Sequence, residues 1–365
     1  MIGKGPATPH PALCATFSRK GRRIGSSRRE VALGLTMLGA ARCVGVPPRR
    51  QVVVDLAGEG PRPQPPAPGV NGAAAPAVVR TSVDPSRRMT APVYIDGRGP
   101  FTFVVDTGAN RSVMSAELAA SLGFSPGPTA MVHGIAGVEP AATVRVGRLS
   151  VGQVSSARLD MLLLNAEVLG ADGLLGVDVL KDRLVQLDFQ NKRLFIGPSR
   201  PSPGRLDNQA TLMARPGADE TSLIVPARYR FGQLTVVDAD AGGLPITAFL
   251  DSGSETTVGN LALRDGDARR QPSLAEHLQT VELLSATGQT AKGEIGPLPL
   301  LRLGGLKMGN LGAVFSDLHA FEIWGLSERP AILIGMDILH HFNMVELDFG
   351  RRQVRFHIPK ENLLA

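Results

Sequence analysis

Cysteine is nearly missing from this chain: only Cys14 and Cys43 occur, and both precede residue 50. The body that follows therefore has no disulfide and no thiolate metal site. No His-Glu-x-x-His pattern occurs either, which argues against zinc-dependent hydrolysis. His340 and His341 are neighbours, and adjacent residues on a helix face different directions, so they do not read as a metal pair. No cofactor and no metal are expected. Long hydrophobic runs are scarce. The apolar segment Val31 to Ala41 has 11 residues, too short to cross a bilayer comfortably, so no stable membrane span is expected. Positive charge is also short where it would matter. Ten basic residues against one acid give residues 1–50 a charge of +9, which leaves residues 51–365 at −3 of the chain's +6. A nucleic-acid binder is expected to carry its positive charge on the folded domain, so that class is disfavoured.

What is abundant is Gly (42) and Pro (28), a composition that favours turns over long helices. The body is organised around Phe101-Thr102-Phe103-Val104-Val105-Asp106-Thr107-Gly108-Ala109. A β-branched apolar run predicts a buried strand, and the glycine predicts a tight turn at its end. The aspartate between them is a charge that must be solvated, paired or used. The pattern recurs as Ile246-Thr247-Ala248-Phe249-Leu250-Asp251-Ser252-Gly253-Ser254. Two such elbows can bring two carboxylates to one site.

Around these elbows the chain divides. Residues 1–42 read as an export signal: Arg22-Arg23 and Arg28-Arg29 precede the apolar segment, and small residues follow it. Ser27-Arg28-Arg29-Glu30-Val31 resembles a twin-arginine signal, which implies export to the bacterial periplasm. Lipoprotein anchoring at Cys43 is disfavoured by Arg42 before it. Residues 43–88 read as a Pro/Ala/Gly-rich linker. Residues 89–198 form a first unit, 199–222 a second linker, and 223–358 a second unit in the same order. Leu174-Leu175-Gly176-Val177-Asp178-Val179-Leu180 matches Leu333-Ile334-Gly335-Met336-Asp337-Ile338-Leu339, and Val185-Gln186-Leu187-Asp188-Phe189 matches Val345-Glu346-Leu347-Asp348-Phe349. From Asp106 to Gly176 is 70 residues, and from Asp251 to Gly335 is 84, so the second copy has longer loops. Within the first unit, strands are expected at 141–147, 149–154 and 158–164. Ser115 to Gly123 predicts a short capped helix. Asp178 and Asp337 are expected to cap the short helices that follow the glycines.

These paired motifs resemble the aspartic proteases of the retropepsin and pepsin group, over about residues 89–358. The resemblance implies an all-β, bilobal fold. Two similar retropepsin-like lobes with short helices would pack about a pseudo-twofold axis, with the site at their junction. It implies an endopeptidase that acts on a peptide or protein with Asp106 and Asp251 as catalytic residues. Two close carboxylates cannot both ionise, so one proton is shared: one takes a proton from water, the other gives one to the carbonyl oxygen. Thr107 and Ser252 would join the elbows through hydroxyl hydrogen bonds, while Gly108 and Gly253 allow close approach. Gly134, Ile135, Ala136 and Gly137 sit where a hairpin flap over the substrate belongs. Ala286, Thr287 and Gly288 are the counterpart in the second unit. His133 beside the first flap is expected to be solvent-exposed.

One asymmetry bears on the proton. Ser254 follows Asp251 by three residues, where Ala109 follows Asp106. A Ser254 hydroxyl bonded to Asp251 would favour its ionised form and leave the proton on Asp106. Other readings stay open: a peptide-binding or regulatory protein of the same fold without turnover, a structural envelope protein, and a homodimer in place of a monomer with an internal pseudo-dimer.

Overall fold

The computed structural model describes residues 54–56, 77–80, 82–84, 87–199, 211–214, 220–230 and 232–359. The expected export signal at 1–42 and most of both linkers lie outside the described residues. The fold is all-β, with short helices and two sheets, and among the described residues no helix is long and apolar enough to cross a membrane.

Each half is built on the same local plan. In the first, Met89–Ile95 and Arg98–Val105 pair antiparallel. Asp96 (φ 47) and Gly97 (φ 79) form the turn between them, the positive-φ pair that matches strand twist in a two-residue hairpin. In the second, Gln233–Ala241 and Leu244–Leu250 pair antiparallel, turning at Gly242 (φ 53) and Gly243 (φ 79). A short segment then crosses beside each elbow strand. Gly173–Leu175 runs parallel to Arg98–Val105, with Leu175 opposite Val105, and Ala331–Ile334 runs parallel to Leu244–Leu250, with Ile334 opposite Leu250. The crossing segments and the last three residues of each elbow strand are buried, as parallel pairing demands, which explains why they read as unbroken apolar runs.

The halves share one antiparallel layer. Its strand order is Ala77–Arg80, Arg193–Pro198, Arg183–Asp188, Met344–Asp348, Gln353–Pro359, Glu220–Arg230 and Thr211–Ala214. The central pairing sets Val185 opposite Leu347, Gln186 opposite Glu346 and Leu187 opposite Val345. Gln186 and Glu346 are the equivalent residues of the duplicated segment. The pseudo-twofold axis therefore passes through that pair, and the two halves are hydrogen-bonded as one sheet. Glu346 lies there in contact with His357 (2.7 Å), which holds its carboxyl below the usual range against the upward pull of burial.

One local expectation is corrected and another holds. The region 141–164 holds two long strands, Gly137–Val151 and Val154–Leu164, not three. The buried set switches from Val144 and Val146 to Leu149 and Val151 across the exposed Gly147 and Arg148, but the pairing with the next strand continues through them, and the chain turns only at Gly152 (φ 56). The helix after Ser115 does form, over Ala116–Ser121, with the Ser115 side chain accepting from Leu118 N.

Candidate active site

The two elbows meet where the elbow strands end. Asp106 N donates to Leu175 O at 3.0 Å, and Asp251 N donates to Ile334 O at 2.9 Å, so each crossing segment fixes the height at which its aspartate leaves the sheet. Thr107 Oγ1 donates to Leu250 O (2.9 Å) and accepts from Ser252 N (3.0 Å). Ser252 Oγ donates to Val105 O (2.8 Å) and accepts from Thr107 N (3.1 Å). The four bonds are reciprocal, and both hydroxyls are buried. Thr107→Val keeps the shape and removes the hydroxyl, leaving Leu250 O and Ser252 N buried without it. A loss of about 2 kcal/mol in unfolding free energy is expected, with Thr107→Ser near neutral. Denaturant titration of the two variants checks this, and equal stability of Thr107→Val and wild type would contradict it.

The carboxyls are held in matching cradles. Asp106 Oδ1 accepts from Gly108 N and Ala109 N, both at 2.9 Å, and Asp251 Oδ1 accepts from Gly253 N (3.0 Å) and Ser254 N (3.2 Å). Both aspartates are fully buried, and among the described residues Asp106 Oδ2 and Asp251 Oδ2 accept no hydrogen bond. A Cβ on Gly108 would strike the Asp251 carboxyl, and one on Gly253 would strike the Asp106 carboxyl. Each glycine thus makes room for the opposite acid. Burial raises Asp106 to about 6, opposed by the amides of Gly108 and Ala109 and by the Arg88 guanidinium. Burial, then the charge of Asp106, pushes Asp251 well above the ordinary carboxylate range. One shared proton turns this contact into a hydrogen bond, and the pair titrates as a unit.

The expectation for Ser254 is overturned. Its hydroxyl donates to Thr256 O (2.8 Å), and only its amide reaches Asp251. The carbonyl two residues on is the nearer acceptor, so the side chain turns away from the acid. The asymmetry expected from Ser254 and Ala109 is therefore absent, and Asp251, not Asp106, is the acid raised further.

The two hairpins cross the junction. The first joins Thr129–Gly134 to Gly137–Val151, with Ile135 and Ala136 at its tip; the second joins Gln279–Leu284 to Thr290–Leu298, with Ala286, Thr287 and Gly288 at its tip. They touch each other, since a Cβ on Gly134 would meet Ser285 Oγ at 2.6 Å and Thr287 Oγ1 at 2.9 Å. Each tip also enters the other half's core. Ile135 (2 % exposed) joins the cluster of Phe249, Val258, Leu318 and Leu333, while Ala286 (3 % exposed) joins that of Val104, Val113, Leu162 and Leu174. Gly137 has φ 146, a value open to glycine, and faces Gln289.

His133 is not the free hairpin residue expected. Its ring lies edge to edge with that of His319, centroids 5.2 Å apart and planes 7° from parallel, and His133 Nδ1 lies 3.0 Å from His319 Nε2. His319 N also donates to Ile135 O (2.9 Å), and His319 Nδ1 contacts Glu322 Oε2 (2.9 Å). Burial and then the facing His319 lower the affinity of His133 for a proton. A group with a lowered value favours the closed contact above the ordinary histidine range of about 6.5 and weakens it as pH falls below that. One proton can be shared between the two ring nitrogens; a second sets two N–H groups against each other across that contact. Burying the Ile135 side chain contributes about 1.5–3 kcal/mol, against about 1 kcal/mol for a hydrogen bond, so the apolar plug holds the hairpin and the histidines modulate it. Hydrogen exchange at the His319 amide should accelerate beyond its intrinsic pH trend as pH falls through the histidine range. His319→Gln should abolish that excess, and an unchanged profile in the variant would contradict it.

Asp178 and Asp337 do not occupy the N-cap positions, which are Gly176 and Gly335, but Asp337 Oδ1 does accept from the first-turn amide Ile338 N (2.9 Å). Asp178 accepts from Ser112 N (3.0 Å) and Ser112 Oγ (2.7 Å), and Asp337 from Thr257 N (3.0 Å) and Thr257 Oγ1 (2.6 Å). They tie each crossing segment to the loop after its elbow. Burial raises Asp178, and raises Asp337 to about 6 against the Thr257 bonds. His340 Nε2 meets Arg87 O (2.6 Å), and among the described residues no group of three or more metal-binding side chains forms.

Two buried residues beside the aspartates escaped the sequence reading: Arg88 and Gln233, each 1 % exposed. The signal was available, because each lies 18 residues before its aspartate in the duplicated pattern.

Comparison with known families gives a consistent result. A family described as aspartyl protease matches residues 91–179 and, a second time, residues 237–338, together more than half of the chain. No curated protein sequence matches it.

Proposed function

The chain belongs to the aspartyl protease family, and from that premise we propose that it is an endopeptidase in which Asp106 and Asp251 activate one water molecule. The observation that carries this reading is the pair of buried carboxyls, each reaching into space left by the other elbow's glycine. Nothing in such a pair is needed for stability, since a buried acid without a full set of partners is a cost. The cost has a use in acid–base chemistry, where one member must be charged and the other protonated near working pH.

In the proposed reaction, the carboxylate takes a proton from water as the water oxygen bonds to the peptide carbon. The protonated partner gives its proton to the carbonyl oxygen. Collapse of the tetrahedral diol breaks the C–N bond: the leaving nitrogen takes a proton from the pair, and a diol hydroxyl gives one back, so the pair again holds a single shared proton. The substrate is read as an extended peptide that lies under the two hairpins and pairs with them through its main chain. The hairpins must lift for it to enter, because their tips occupy each other's cores. The shared layer supports a single chain as the working unit, and residues 1–42 are read as the signal that exports it to the periplasm.

Digestion of a peptide library, with and without a statine-type transition-state mimic, tests the proposal. Internal cleavage that the mimic blocks, at a specific activity independent of protein concentration, is expected. Tight binding of the mimic with no cleavage at any acid-to-neutral pH would favour a peptide-binding protein. Activity that falls on dilution would favour an obligate dimer.

A further inference from the structure

Superposing the duplicated pattern on its two aspartates isolates one fully buried position at which the pair's surroundings differ in charge, Arg88 against Gln233. Thr90 lies opposite Val104, and Thr235 lies opposite Phe249, both two residues before the aspartate. Both threonines are buried. Carrying the same registers two residues further sets Arg88 across from Asp106 and Gln233 across from Asp251. The flanks match; the residue does not.

We infer that this Arg/Gln difference assigns the roles within the pair: Arg88 keeps Asp106 as the carboxylate and hence the base, and Asp251, beside an uncharged amide, carries the shared proton and is the acid. The inference deepens the endopeptidase reading and rests on it only for its kinetic arm.

Two further elbow pairs differ in charge, Asn110 against Glu255 and Arg111 against Thr256, and both act in the same direction as Arg88; the contacts made to the carboxyls themselves are balanced. Each acid accepts two amides of its own elbow, at 2.9 and 2.9 Å for Asp106 and at 3.0 and 3.2 Å for Asp251. Each elbow is backed by one buried acid, Asp178 or Asp337, bonded to the hydroxyl residue of its own loop. The Ser254 hydroxyl is committed to Thr256 O. Gln233 Nε2 donates to Gly108 O in the opposite elbow, so it contributes a dipole and a tie but no charge. Arg88 brings a cation, oriented by Asp84 at 2.6 Å and by Leu169 O at 2.7 Å. Among the described residues its counter-charge in contact is Asp84, which damps its field without cancelling it at Asp106. The direction of the shifts agrees: Arg88 lowers Asp106, which in turn raises Asp251. Arg88 and Gln233 are positioning residues; neither needs to touch the substrate.

The test follows both carboxyls directly. Protein labelled with 13C at the aspartate carboxyls is titrated by NMR, with the two signals assigned through Asp106→Asn and Asp251→Asn. Asp106 should titrate first and Asp251 at higher pH. Arg88→Gln should move the lower titration upward by about one unit or more, the size expected for loss of a nearby opposite charge. Arg88→Lys should restore most of the difference. Asp84→Asn frees the cation from its partner and should move the lower titration the other way, downward. General loosening of the fold cannot produce opposite shifts from two sides of one ion pair. If Arg88→Gln does not fold, Asp84→Asn decides alone. A lower titration that belongs to Asp251, or that stays put in Asp84→Asn, overturns the assignment. The acid limb of kcat/KM should follow the same shifts. If no peptide is cleaved, the endopeptidase reading fails while the carboxyl titrations still decide the assignment.

Discussion

Asp106→Asn, and separately Asp251→Asn, should lower peptide hydrolysis by about 10³-fold, within the range that one positioned acid or base supplies. An amide can neither accept the water proton nor donate to the carbonyl oxygen, so either change stops the exchange on which both acids depend. The double variant should be little worse than either single one, because groups that act as a unit do not add. Stability should not fall with activity. Asparagine removes a buried ionisable group whose charged form is disfavoured by its surroundings. The pH dependence follows with a definite sign. Asp106 and Asp337 are each raised to about 6, so the folded state holds protons that the unfolded state has released. Their contribution is complete below the ordinary carboxylate range and is lost as pH rises through about 6. Asp106→Asn should therefore lose less stability than wild type between pH 5 and pH 8, the lowered His133, His340 and His341 acting in the opposite direction in both proteins alike. Paired measurements of kcat/KM and Tm check all of this. Either single variant keeping more than about a tenth of wild-type activity would remove that residue from the chemistry.

Gly253→Ala is expected to be nearly as damaging by a different route. Gly253 and Gly108 do not have positive φ, so alanine suits the backbone itself. The obstacle is steric: the new methyl would overlap the Asp106 carboxyl, and Gly108→Ala would overlap that of Asp251. Either the acid moves or the elbows part. Misplacement by about 1 Å costs on the order of 10²-fold in rate, and overpacking costs about 1–3 kcal/mol in stability. The two effects separate in one experiment, since Thr107→Val should lower stability through the grip without filling the space between the acids. Gly253→Ala with wild-type kcat/KM would mean that the carboxyls approach less closely than described.

The features legible in the sequence were those written locally. An apolar run ending in Asp-Thr-Gly or Asp-Ser-Gly specifies a strand and its turn within nine residues, and the Leu-Leu-Gly and Leu-Ile-Gly segments repeat the context. Features that depend on how two segments meet were not legible. The direction of the Ser254 hydroxyl turned on which acceptor was nearer, and Thr256 O was. Asp178 and Asp337 carried the signature of helix caps, yet they bind hydroxyls some 66 and 80 residues earlier in the chain. His133 looked like a hairpin residue because its partner, His319, is 186 positions away. Arg88 and Gln233 lie between these cases: their spacing was plain, but only strand register sets them across from the acids.

The residues on the pseudo-twofold axis bear on why the halves are covalently joined. Gln186 could face a copy of itself, since an amide both donates and accepts. Glu346 could do so only by bringing two carboxyls together, each already held by its own His357 and Arg355. A free copy of the second half would be a poorer mate for itself than for the first. The tether therefore does more than raise local concentration: it permits each half to specialise, one keeping a neutral seam and the other an acid, as partners in a marriage of unlike sequences that symmetry would have disfavoured.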